Sequence, residues 1–194
     1  MGIRIEGGSS QQITIKGNRI GTTANGSLAL GNSKSGIVVI YGTGVAAGNP
    51  SNIIIGGKWT ESQNLISGNI QAGVAIFLDG ASGGTGNVVA GNLIGTSYDG
   101  ISKIPNTHGI FISRNDTTGN MPGVKIGGSI SDSGNVISGN NQMGIWIKSN
   151  GARNNLVYGN YIGTTRSVTV GQIFGLGNGF AGVYLDNSPF NSIG

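Results

Sequence analysis

Apolar and polar residues alternate with a period of two in short segments of this chain, and those segments return at a nearly constant distance. A glycine followed by apolar-x-apolar occurs at Gly2-Ile-Arg-Ile, Gly36-Ile-Val-Val, Gly73-Val-Ala-Ile, Gly109-Ile-Phe-Ile, Gly144-Ile-Trp-Ile and Gly182-Val-Tyr-Leu. Successive glycines lie 34, 37, 36, 35 and 38 residues apart. A period of two predicts strands, and no window carries a 3.6-residue apolar period long enough for a helix. Two more short apolar segments follow each first strand, in two alternating types. Repeats one, three and five carry ITIKGNRIGT (13–22), VVAGNLIGT (88–96) and LVYGNYIGT (156–164). Repeats two and four carry IIIGG (53–57) with NLISGN (64–69), and VKIGG (124–128) with NVISGN (135–140). Each repeat is therefore expected to hold three strands of about four residues, with Gly- and Asn-rich turns between them. Asn-Gly at 25–26, 150–151 and 178–179 marks turns that need a positive φ.

A hairpin sandwich also has short strands, but it does not bring three strand classes back in fixed order every ~36 residues. A chain that returns to the same three faces in each repeat is a parallel β-helix. Within it, Ile3 and Ile5, Ile110 and Ile112, and Ile145 and Ile147 are expected to point inward and stack on their counterparts one coil away, about 4.8 Å along the axis. Ile15, Val89 and Val157 form a second inward column, and Ile20, Ile94 and Ile162 a third. Burying ~25 such side chains at roughly 1.5–3 kcal/mol each offsets the entropy of ordering the chain. Asn69 and Asn140, and separately Asn18, Asn92 and Asn160, recur at turns, where stacked amides can pair between coils and asparagine tolerates the left-handed backbone.

Gly-Ile-x-Ile, Asn-x-Ile/Val-x-Gly-Asn and Ile-Gly-Thr, in this order, resemble the repeats of the pectin-lyase-like superfamily. They are most similar to Gly/Asn-rich arrays of large secreted or surface proteins of bacteria. The resemblance covers the whole chain and implies a right-handed parallel β-helix of about 5–6 coils, a single domain over residues 1–194. It implies a secreted or cell-surface location. It does not select a function, because the superfamily includes lyases, hydrolases, epimerases, tailspikes and adhesin stalks. Neither terminus carries an amphipathic capping helix in this reading, so a fragment of a longer array is expected, or else a unit that stacks end to end.

Composition narrows the function. Glycine supplies 39 of 194 residues and charged residues only 9%. So little charge excludes a solvated disordered segment, and glycine without a three-residue period excludes collagen. The net charge of +4 comes from basic residues that never form a run, so nucleic acid is not an expected partner. No apolar stretch approaches the ~18 residues of a membrane helix, so membrane insertion is not expected. Cysteine is absent, which removes disulfides and thiolate metal sites. The acidic residues are Glu6, Glu61, Asp79, Asp99, Asp116, Asp132 and Asp186. A lyase would need clustered carboxylates for calcium and a basic residue, a hydrolase two or three neighbouring carboxylates. No cluster stands out in the repeat frame, and no metal or cofactor is expected. The enzyme alternative, a lyase or hydrolase fragment acting on an acidic polysaccharide, requires loops 79–86, 113–121 and 148–154 to gather Asp79, Asp116 and Lys148 or Arg153. Asn25-Gly-Ser27 and Asn115-Asp-Thr117 match the glycosylation acceptor pattern by chance in an asparagine-rich chain.

One outward column stands above this background. The second position after each repeat glycine runs Arg4, Val38, Ala75, Phe111, Trp146, Tyr184, with aromatics on three successive coils. Phe111, Trp146 and Tyr184 form the candidate carbohydrate-binding strip, flanked by Ser113, Lys148 and Asp186. The same column also suits an aromatic ladder that only stabilises the sheet, a strip covered by a long turn, or a protein interface. Lys148 and Asp186 share a register on adjacent coils and are expected to pair. Thr22, Thr96 and Thr164 recur only in alternate repeats and make no flat ice-binding array. His108 is expected in a turn, without a partner. These residues favour a non-catalytic structural and adhesive module with a weak carbohydrate-binding face. Fibre formation through the ends is a further alternative.

Overall fold

The computed structural model describes residues 1–58, 62–80, 83–115, 123–129, 133–165 and 175–194. Glu61, Asp116, Asp132 and Gly171 lie outside them. The first strand of every repeat enters one parallel sheet: β1 (Ile3–Glu6), β4 (Ile37–Ile40), β7 (Ala72–Asp79), β10 (His108–Asn115), β13 (Met143–Lys148) and β16 (Ala181–Asp186), in that spatial order. The second sheet holds β2 (Thr14–Ile15), β5 (Ile54–Gly56), β8 (Val88–Ala90), β11 (Lys125–Gly127), β14 (Leu156–Tyr158) and β17 (Ser192–Ile193). The third holds β3 (Arg19–Ile20), β6 (Leu65–Ile66), β9 (Leu93–Ile94), β12 (Val136–Ile137) and β15 (Tyr161–Ile162). Each strand pairs with its equivalent one repeat away, so the chain is a parallel β-solenoid of about five turns. A 3-10 turn spans Gly44–Ala46, and no helix among the described residues is long and apolar enough to cross a membrane.

Strands of the second and third sheets have two or three residues rather than the expected four. Glycines at positive φ end them: Gly17 (φ 71°) separates β2 from β3, and Gly21 (φ 91°) closes β3. A left-handed residue turns the next N–H and C=O out of the ladder, so pairing stops there.

The inward columns stack in the predicted register. Ile15, Ile55, Val89, Ile126 and Val157 align across the second sheet, and Ile20, Ile66, Ile94, Ile137 and Ile162 across the third. With Ile5, Ile37, Val39, Val74, Ile76, Ile110, Ile112, Ile145 and Ile147 of the first sheet they form one continuous apolar core. Column filling by β-branched side chains suits a coil whose interior is only one side chain deep.

Two asparagine ladders line the corners, and both are longer than the sequence columns suggest. Asn18, Asn64, Asn92, Asn135 and Asn160 pass a bond from each Nδ2 to the next Oδ1 at 3.1, 2.9, 3.0 and 2.8 Å. Asn32, Asn69, Asn106, Asn140 and Asn178 do the same at 2.9, 3.0, 3.1 and 3.0 Å. The two repeat types thus place asparagine at the same corner from different positions of their motifs. Contrary to expectation, the ladder asparagines do not take the left-handed backbone. Before five of the ten, Asn18, Asn69, Asn92, Asn140 and Asn160, the preceding glycine does: Gly17, Gly68, Gly91, Gly139 and Gly159 have positive φ. A third corner mixes asparagine with aliphatics: Asn87 Oδ1 accepts from the Ile53 N–H at 3.0 Å, Asn155 Oδ1 from that of Val124 at 2.8 Å, and Asn191 Oδ1 from Asn155 Nδ2 at 2.8 Å.

The Ile-Gly-Thr segments open side loops. Thr22 bridges Ala29, Thr96 bridges Lys103 and Thr164 bridges Gly175. Thr96 is buried, and each threonine hydroxyl donates to the carbonyl of the following residue. These hydroxyls are therefore engaged with the backbone at the base of a loop.

Candidate functional site

The outward column of the first sheet keeps the predicted register, Arg4 against Val38, Val38 against Ala75, Ala75 against Phe111, Phe111 against Trp146 and Trp146 against Tyr184. It does not make a flat platform. Phe111 and Trp146 have ring centroids 4.9 Å apart with planes inclined at 54°, and Trp146 and Tyr184 are 6.3 Å apart at 35°. Aromatic quadrupoles favour such tilted pairs over face-to-face sandwiches. Val38 and Ala75 are buried at 5% and 1% exposure, sunk between Ile40, Phe77 and Phe111. Tyr184 is exposed and Trp146 half-buried.

The step from short side chains to rings creates relief. Ser35, Ala72 and Ala75 form a floor on two coils, and the rings of Phe77, Phe111, His108 and Trp146 rise beside it. Ile70, Gln71 and Thr107 complete an open groove of about 300 Å³. The Thr107 hydroxyl is turned away, donating to the Ile70 carbonyl at 2.6 Å.

His108 is a correction to the sequence reading. It begins β10 in register with Ala72 rather than lying in a turn, and its ring meets Trp146 edge-on at 5.1 Å and Phe111 at 6.4 Å. Phe77 was also not read as part of the strip. It occupies the fourth position after Gly73, the column that holds Lys148 and Asp186, and packs edge-on against Phe111 at 5.5 Å. Extending the alternation one outward column further finds Phe77 but not His108, which has the parity of the inward Ile110 and Ile112.

Two nitrogens in this wall, Nδ1 of His108 and Nε1 of Trp146, are shielded from solvent and have no hydrogen-bond partner among the described residues. A buried polar group left unpaired costs about 1–3 kcal/mol. Tilted ring packing thus stabilises the wall while leaving two donor or acceptor groups unanswered.

Burial holds the His108 imidazole below its ordinary pKa, because the charged form would lose hydration. The unfolded chain therefore binds a proton at a higher pH than the folded one does. Stability from this residue is complete above the unfolded value of about 6.5 and declines as pH falls below it. His108 is the only histidine. Chemical denaturation between pH 7.5 and 5 should accordingly show stability falling with acidity in wild type and a flatter profile in His108→Phe. Equal slopes would contradict the assignment.

Lys148 Nζ lies 4.9 Å from the centre of the Trp146 ring and 3.7 Å from Asp186 Oδ2, so the expected cross-strand pair forms, backed by the ring. At the same outward position on β1, Glu6 Oε2 accepts from Arg4 Nε at 2.8 Å, which holds that carboxyl below its usual range. Ser113 stands between Phe77 and Lys148 in the register. The basic residues considered for catalysis are engaged elsewhere: Lys148 with Asp186, and Arg153 with the Asn150 carbonyl at 3.0 Å and the Phe190 ring at 5.9 Å. Asp79 stands in register with Asn115, and Asp116 is outside the described residues. No three His, Cys, Asp or Glu side chains gather among the described residues in a way that could hold a metal ion. Arg114 is buried in register with Leu78, an inward charge that the repeat pattern does not announce.

No protein-family model, no curated protein and no solved structure matches this chain. The parallel solenoid is thus established by its own geometry, and the resemblance to the pectin-lyase-like superfamily rests on the repeat motifs.

Proposed function

We propose that this chain is a non-catalytic structural and adhesive β-solenoid module that binds polysaccharide through the groove beside Phe111 and Trp146. The observation that carries this reading is a concave site walled by aromatic rings in which two ring nitrogens have no hydrogen-bond partner among the described residues. Aromatic faces suit the C–H face of a sugar, and unpaired nitrogens suit its hydroxyls. Phe111 and Trp146 are each anchored on a strand paired on both sides. Trp146, Phe111 and Tyr184 supply the contact surface, and Lys148 and Asp186 form a polar rim. A module of this kind fits a large secreted or surface protein of a bacterium, in line with the resemblance to pectin-lyase-like arrays.

A polysaccharide array read for both binding and product release, comparing wild type with Trp146→Ala, tests the reading. Removal of an anchoring tryptophan should weaken binding by about 30-fold or more, and no cleavage should occur. New reducing or unsaturated ends would instead identify an enzyme.

A further inference from the structure

The polar groups that line the groove are Ser35, Gln71, Thr107 and His108, none of which carries a fixed charge. The cation at its rim, Lys148, is held by Asp186 and by the Trp146 face. A uronic acid entering the groove would find no cation among the residues that line it to offset the lost hydration of its carboxylate, whereas an uncharged ring carries no such penalty. The two unpaired nitrogens restrict the ligand further. Trp146 Nε1 only donates, and His108 Nδ1 donates or accepts according to tautomer. A hydroxyl answers either, while an alkyl chain or an apolar side chain answers neither. The volume, about 300 Å³, lies at the small end of ligand sites, which run from about 300 to 1,000 Å³. It suits one sugar ring on the Ala72 and Ala75 floor, stopped on one side by Phe111.

Building on the module reading, we infer that the groove is a subsite for one uncharged pyranose ring whose hydroxyls take up Trp146 Nε1 and His108 Nδ1. Both nitrogens are covered in the free protein, so a hydroxyl reaches them when the edge-on His108–Trp146 pair parts. The same two groups that weaken the empty fold therefore strengthen the occupied one. A ring that is kept while its nitrogen is removed separates the two effects.

The experiment measures affinity gel electrophoresis and thermal unfolding of wild type, Trp146→Phe, His108→Phe and Trp146→Ala. The probes are a β-glucan, a galactomannan, polygalacturonate and alginate. Wild type should be retarded by an uncharged polysaccharide. Trp146→Phe and His108→Phe should each bind roughly three- to tenfold more weakly, the loss expected for one hydrogen bond. Their melting temperatures should be equal to or above that of wild type. Unchanged affinity in both phenylalanine variants overturns the role of the nitrogens. Retardation only by the polyuronates, abolished in Trp146→Ala, overturns the uncharged ligand and leaves the module reading standing. No retardation of wild type by any of the four removes both.

Discussion

Replacing Asn92 by alanine should lower the melting temperature by roughly 6–12 °C, corresponding to about 3 kcal/mol in a chain of this length. Asn92 is fully buried, and its side chain answers groups on three coils. Its Oδ1 accepts from the N–H and Nδ2 of Asn64, at 3.3 and 2.9 Å. Its Nδ2 reaches the Ile55 and Ala90 carbonyls and Asn135 Oδ1, at 2.9, 2.9 and 3.0 Å. Alanine would remove the acceptor of the buried Asn64 N–H and the amide donor to the Ile55 carbonyl, while Asn135 Oδ1 keeps the backbone N–H of residue 92 and the Ala90 carbonyl keeps that of Gly57. Asn18→Ala, at the exposed end of the same ladder, removes a bond that solvent can replace and should shift the transition by less than about 3 °C. Calorimetry of the two variants checks the ladder directly. Similar shifts for both would mean that the amides contribute turn preference and not a buried network.

Gly95→Ala should be strongly destabilising, at about 3–5 kcal/mol. Gly95 has φ 90°, outside the range an L side chain adopts readily. Its added Cβ would sit 2.3 Å from the Ser138 carbonyl oxygen and 2.4 Å from Asn140 Oδ1, striking the backbone and the second ladder together. Gly163 occupies the equivalent place in the fifth repeat with φ 76°, yet there a Cβ meets only Gly177 Cα, at 3.8 Å, among the described residues. Gly163→Ala should therefore cost about 1–2 kcal/mol, the conformational part alone. Urea midpoints for the pair separate backbone strain from the close approach of coils. Equal costs would show that the approach at Gly95 relaxes.

The motif Ile-Gly-Thr-x-x-x-Gly-x5-Asn occurs at 20–32 and 94–106, in alternate repeats. That its last residues, Asn32 and Asn106, continue the column of Asn69 and Asn140 was not visible, because the two repeat types reach the corner by different numbers of residues. Only stacking reveals that they coincide.

For the candidate site, the register of Phe111, Trp146 and Tyr184 and the Lys148–Asp186 pair followed from counting residues after each repeat glycine. In a parallel stack, equal offsets mean equal positions. Ring tilts, the sunken Val38 and Ala75, and the place of His108 did not follow. They depend on which side chains of adjacent outward columns lean together, and that is settled by packing among rings.

The sequence by itself determined the coil: a glycine-punctuated period near 36 residues with period-two apolar columns can bury those columns only by stacking equivalent strands in parallel. The tertiary structure alone decided the shape of the surface. Neighbouring coils bring residues about 36 positions apart within about 4.8 Å, so whether an aromatic column becomes a platform or a groove depends on side-chain volumes that meet only after the turns have closed.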